Sequence, residues 1–173
     1  MNRWLTNGFR LMGLLIATLV AAGCAQRPVV PAAGAVPDPG WSESRAQPRR
    51  EQRRQLVAHA ERMLGQPYRY GGESPQQGFD CSGLVYFSHR QLGIEVPRTT
   101  RDQRRRSRAV PLQALQPGDL VFFDLSDTKT RHVGIYIGGG RFIHAPTSGK
   151  RVSVSSLDNP YWRRHLAGAG SFL

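Results

Sequence analysis

Cysteine is scarce in this chain: Cys24 and Cys81 are the only two in 173 residues, too few for a disulfide framework. Acidic residues are also scarce, 12 Asp and Glu against 24 Lys and Arg, which gives a formal net charge of +12 and a pI near 11.1. No apolar run reaches the ~20 residues needed to span a bilayer; the uncharged stretch from Leu11 to Ala22 is far shorter. No internal repeat is found. The charge is densest in "RTTRDQRRRSR", residues 98 to 108, yet no recognised nucleic-acid motif accompanies it. That cluster reads either as a surface for anionic partners or as a solvated basic helix face, and nucleic acid is not an expected partner.

What is present begins with the N-terminal segment. Arg3 and Arg10 give a basic start, the apolar run follows, and Ala21, Ala22 and Gly23 lead into Cys24. This is the pattern of a signal peptide, and "LVAAGC" resembles a bacterial lipobox, although Ala21 stands where leucine is more common. The resemblance implies that residues 1–24 are a lipoprotein signal and that Cys24 is lipidated and becomes the mature N-terminus. With Ala25 after it, rather than the aspartate of inner-membrane retention, it also implies a lipid-anchored protein on the periplasmic face of the outer membrane. The alternatives are an ordinary secretory signal, with a secreted or periplasmic product, and an uncleaved anchor. Cys81 would then be the single mature thiol in an oxidising compartment. Residues 25–50, rich in Pro, Ala and Gly, read as a disordered tether. Residues 51–173 read as one folded domain, at about 120 residues large enough to bury a core.

Within that domain, Leu56, Ala60, Met63 and Leu64 recur at helical spacing, with Gly65 and Pro67 as the stop. "PYRYGGESPQQG" is a loop. Cys81 to about Leu92 reads as a second helix, with Asp80 as its N-cap and Gly93 as a C-cap candidate. A short helix covers the arginine cluster. Strands follow from Leu120, from His132 and from Arg141, the last two joined by "GGG" at 138–140 as a hairpin. Helices first and antiparallel strands after predict an α+β domain.

A thiol in the first turn of a helix faces unpaired N–H groups and the positive end of the helix dipole, which favour thiolate. A buried structural cysteine is the alternative. The hairpin offers a base. With a three-residue turn, Ile137 lies opposite Arg141 and residues 132 and 146 are opposite; His132 and His144 are then diagonal neighbours on one face, with Gly134 beside them leaving room for a substrate backbone or a close-packed helix. A two-residue turn would put the histidines on opposite faces. Adjacent histidines facing a thiol fit the sequence of nucleophile, base and orienting group, and predict a thiolate held by imidazolium His132. Three zinc ligands are the other reading of Cys81, His132 and His144, but paired close ligand spacings are missing.

"PYRYGG…GFDCSGLV", "VPRTT", "LQPGDLVFF" and "RHVGIYIGGGRFIHA", in this order, resemble the NlpC-type cell-wall cysteine peptidases over residues 51 to about 154. The resemblance implies a papain-like α+β domain that hydrolyses peptidoglycan stem peptides without a metal or organic cofactor. It implies Cys81 as nucleophile, His132 as general base, His144 as its orienting residue and Tyr68 as an oxyanion donor with the Cys81 backbone N–H. Asp80 and Ser82 belong to the motif and Arg98 follows it; all three are candidate substrate-binding residues, with helix capping and surface charge as the alternatives. His59, His89 and His165 match no catalytic position and are expected to be structural or solvated. The favoured reaction is hydrolysis of the D-alanine–meso-diaminopimelate cross-link by a compact lipoprotein. The alternatives are γ-D-glutamyl-diaminopimelate cleavage, an N-acetylmuramoyl-L-alanine amidase and a non-catalytic wall-binding lipoprotein. Oligomeric state is not legible in the sequence.

Overall fold

A computed structural model describes residues 39–125 and 130–173; the signal segment with Cys24, and the tether as far as residue 38, lie outside the described residues. Helix α1 (Pro39–Glu61) is followed by a small ribbon of β1 (Glu73–Ser74) and β2 (Gly78–Phe79), then by α2 (Cys81–Arg90) and α3 (Thr100–Arg106). After these come β3 (Arg108–Ala109), β4 (Leu120–Leu125), β5 (Thr130–Gly138), β6 (Arg141–His144), β7 (Ser153–Ser156), α4 (Pro160–His165) and β8 (Leu166–Ser171). Six strands form one antiparallel sheet in the order β3-β8-β4-β5-β6-β7. The expected α+β architecture is the one observed.

The two sheet faces follow the period-2 alternation of the strands. Leu120, Phe122, Val133, Ile135 and Ile143 pack with Ala60 of α1 and with Leu84 and Val85 of α2 in the main core. Val121, Phe123 and Phe142 point to the other face, where Tyr136, Trp162 and Leu166 cover them. Helix α2 starts where the sequence places it. Asp80 caps it in extended backbone, accepting from Gly83 N–H at 2.7 Å, and the chain turns away after Gly93 in a left-handed conformation.

Two helical expectations need correction. Residues 39–50, read as tether, form the first half of α1. Arg, Gln, Glu and Ala in this stretch are good helix formers, and a helix nucleated in the buried half from Arg53 onward extends backward at little cost, although Pro48 inside it lacks the N–H for one backbone bond. The apolar stripe is also shorter than expected, because the helix ends at Glu61 and Leu64 is exposed. A charged residue shares the buried face instead: Arg53 donates to Pro117 O and Asp119 Oδ1, each at 2.8 Å, and to Ser171 Oγ at 3.4 Å.

The hairpin matters most for function. Ile135 pairs with Ile143 and Tyr136 with Phe142, the register derived from a three-residue turn, yet Gly138 pairs with Arg141. The turn therefore has two residues, Gly139 and Gly140, at φ 58° and 69°, the left-handed pair that a tight hairpin turn needs. The register shifts between Tyr136 and Gly138, so the extra residue is a bulge on β5. That bulge undoes the one-residue slip of the shorter turn and returns both histidines to one face.

Candidate active site

Cys81 is the first residue of α2 and is half-buried. Its Sγ lies 3.6 Å from Thr100 Oγ1, and the backbone N–H groups of Val133 and Ser82 also donate toward it. Val133 is the neighbour of His132 on β5, so the strand that carries the imidazole also touches the sulfur. Tyr68 is half-buried and packs against the core that Cys81 joins; burial, then the nearby Cys81 and Asp80, raise its hydroxyl pKa and keep it a proton donor.

His132 and His144 are 3% and 2% exposed and bond directly, His132 Nε2 to His144 Nδ1 at 2.9 Å. His144 Nε2 in turn lies 2.9 Å from Ser155 Oγ on β7. If His132 Nε2–H donates to His144 Nδ1, His144 Nε2–H donates to Ser155, and His132 Nδ1 carries the free lone pair of a base. The ring of Trp162 stacks on His132 with centroids 5.5 Å apart and meets His144 edge-on at 4.8 Å. Among the described residues, no group of three or more His, Cys, Asp or Glu is arranged to hold a metal ion.

The expected thiolate–imidazolium pair would have to form against the burial of its groups. Burial raises the Cys81 thiol above its ordinary value and the Asp80 charge adds to the rise, while the Thr100 hydroxyl and the two backbone N–H groups pull in the opposite direction. Burial lowers His132 to about 4, against the pull of Asp80. Burial, then His132, lower His144 to about 3. Burial thus opposes charge on all three groups, against the pull of the helix end on the Cys81 thiol.

The three candidate substrate-binding residues bond chiefly to one another. Asp80 Oδ2 accepts from Gly71 N–H at 2.9 Å, and Ser82 Oγ donates to Asp80 Oδ1 at 3.1 Å. Arg98 Nε donates to Glu73 at 2.6 Å; its NH1 donates to Asp80 and Ser82, and its NH2 to Asp80 and Gly72 O. All five guanidinium N–H bonds are thus engaged, so Arg98 offers no free cation to a substrate carboxylate and instead braces the loop before Cys81. Gly83 belongs to the same brace, because a Cβ there would overlap Gly72 O. The room expected beside Gly134 is likewise filled: a Cβ there would come within 2.5 Å of Phe142 Cδ2. His89 and His165 are structural as expected, each with Nδ1 on a carbonyl one turn earlier, Val85 O at 2.8 Å and Tyr161 O at 2.7 Å. His59 is half-buried beside Arg62.

Sequence reasoning missed Ser155, Trp162, Glu73 and Thr100. A groove of about 730 Å³ lined by Tyr86, Arg90, Ile94 and Phe172, among others, does not include Cys81.

Helices packed on an antiparallel sheet, with a thiol opening the central helix and a bonded histidine pair on the sheet, define a papain-like cysteine peptidase domain. The chain belongs to the NlpC/P60 family, whose profile matches residues 65–171. It is 45% identical over 111 residues to the murein DD-endopeptidase MepH of Escherichia coli, covering 62% of this chain and 41% of that protein. It is 43% identical over 119 residues to the gamma-DL-glutamyl hydrolase of Bacillus subtilis, covering 68% and 29%. The crystal structure of an NlpC/P60 family protein from Bacillus cereus superposes with a TM-score of 0.65 at 36% identity, covering 70% of this chain and 40% of that one. The chain thus spans less than half the length of each of these three.

Proposed function

We propose that this protein is a peptidoglycan endopeptidase that cuts amide bonds of stem peptides through Cys81, His132 and His144. The observation that carries the reading is the His132–His144 bond of 2.9 Å on the strand that also touches the Cys81 sulfur. His132 Nδ1 takes the thiol proton as Sγ attacks the carbonyl carbon. The imidazolium that forms keeps its Nε2–H on His144, and His144 keeps its own on Ser155. The Tyr68 hydroxyl and the Cys81 backbone N–H hold the oxyanion, each good donor being worth roughly 3–4 kcal/mol. His132 then gives its proton to the leaving amine, and water, activated by the same imidazole, opens the thioester.

The favoured bond is the D-alanine–meso-diaminopimelate cross-link, supported by the 45% identity to a murein DD-endopeptidase. The 43% identity to a gamma-DL-glutamyl hydrolase supports γ-D-glutamyl cleavage as the second reading. "LVAAGC" followed by Ala25 supports a lipid on Cys24 and a place on the periplasmic face of the outer membrane. The net charge of +12 suits an anionic wall. A D-Ala-linked muropeptide dimer incubated with the mature chain should yield monomers with intact tetrapeptides, read by mass. A dimer left whole while single tetrapeptides shorten to dipeptides would transfer the assignment to the γ-D-glutamyl bond.

A further inference from the structure

We propose that Thr100 is a positioning residue for the reaction, its hydroxyl holding the Cys81 sulfur in place and donating to the thiolate as the proton leaves. The inference rests on reading Cys81 as the nucleophile. Thr100 opens α3 and is 9% exposed, with its Oγ1 3.6 Å from Cys81 Sγ. A β-branched side chain on a helix has few rotamers, so the hydroxyl is aimed with little freedom to lose.

The backbone beneath it is pinned twice. Thr99 caps α3, accepting from Asp102 N–H at 3.3 Å and donating to Asp102 Oδ2 at 2.9 Å. Gln103, fully buried, donates from Nε2 to Ser82 O at 3.0 Å and to Pro97 O at 2.8 Å. Helix α3 therefore grips the first turn of α2 at two successive residues, through the sulfur of Cys81 and the carbonyl of Ser82.

The chemistry needs such a donor. Desolvation weakens the imidazole as a base and the thiol as an acid, so it opposes moving the proton from Sγ to His132 Nδ1. A hydroxyl near a neutral thiol gains little, but the same hydroxyl near a thiolate makes a charge-assisted bond of roughly twice the strength. Thr100 thus stabilises the charged side of the transfer more than the neutral side. The proton still goes to His132, and the new bond still forms between Sγ and the carbonyl carbon.

Full-length wild type, Thr100→Val and Thr100→Ser are labelled with iodoacetamide from neutral to alkaline pH, and modification of Cys81 is read on its own tryptic peptide. Turnover of the cross-linked dimer is measured alongside. Thr100→Val should label about tenfold more slowly at neutral pH, one unit of thiol pKa, and lose kcat by a similar factor with KM unchanged. Thr100→Ser should follow wild type. A Thr100→Val chain without a cooperative melt is replaced by Thr100→Ala, with the same expectation. Wild-type labelling and turnover in the variant lacking the hydroxyl would overturn the proposal, as would a Thr100→Ser variant as slow as Thr100→Val. If wild type cleaves no muropeptide, the peptidase reading fails, and the labelling profiles still decide the part Thr100 plays.

Discussion

His132 and His144 are each almost wholly removed from water, which opposes their charged forms, and the indole of Trp162 covers both rings. Uncovering them lets the charged form hydrate, which raises an imidazole pKa toward its free value near 6.5. In Trp162→Leu the acid limb of kcat/KM should therefore move upward from near 4, the value of buried His132, toward 6.5. A limb that does not move would show that the indole does not set the desolvation. The placement of Cys81 at a helix start and of His132 and His144 on one face was legible in local grammar, an N-cap, a tight turn and alternating strands, whereas Tyr68 was singled out by the family resemblance alone. Ser155 is one of four serines among the residues from 148 to 156, and nothing in that stretch marks it as the partner of His144. Trp162 lies in a short helix whose sequence gives no hint of the sheet face it covers. Burial was the larger omission, since the sequence reveals a helix end but not the desolvation that opposes it.

Among the elements, the β5–β6 hairpin decides whether a base exists at all. The sequence reading reached the correct register by way of the wrong turn, because a three-residue loop and a two-residue loop with a bulge pair the histidine region alike. Gly134 shows how closely this hairpin is packed, with Phe142 Cδ2 and Ile143 O at 2.5 and 3.1 Å from the position of an added Cβ. Gly134→Ala should cost about 1–3 kcal/mol by overpacking, seen as a lower melting temperature, and should reduce turnover more than Phe142→Leu, which loosens the same contact. Equal turnover in the two would separate the packing from the alignment of the histidines. Strand β8 was not legible. "LAGAGS" has little strand propensity, and it is held as a strand by pairing with β4 on one side and β3 on the other.

Across the whole molecule, buried histidines tie folding to pH. His89 lies in the core with its Nε2 unpartnered and its ring edge-on to Phe172, and burial lowers it to about 4. Between that value and the ordinary 6.5 the unfolded chain binds the extra proton, so stability falls as pH drops through this window, by about 3 kcal/mol for this residue. His132 adds a loss of the same sign. His89→Leu should flatten the fall of melting temperature between pH 6.5 and 4; an unchanged slope would place the acid sensitivity elsewhere. The buried Arg53–Asp119 pair at 2.8 Å fastens α1 to the loop before β4, and the sequence hid it because arginine on a helix face reads as solvated. The account rests above all on Cys81 as the nucleophile. Wild type and Cys81→Ala, matched in melting temperature, are incubated with a cross-linked muropeptide dimer and the products resolved by mass. The dimer should be consumed by wild type and remain whole with Cys81→Ala; cleavage by the variant at the wild-type rate would contradict the account.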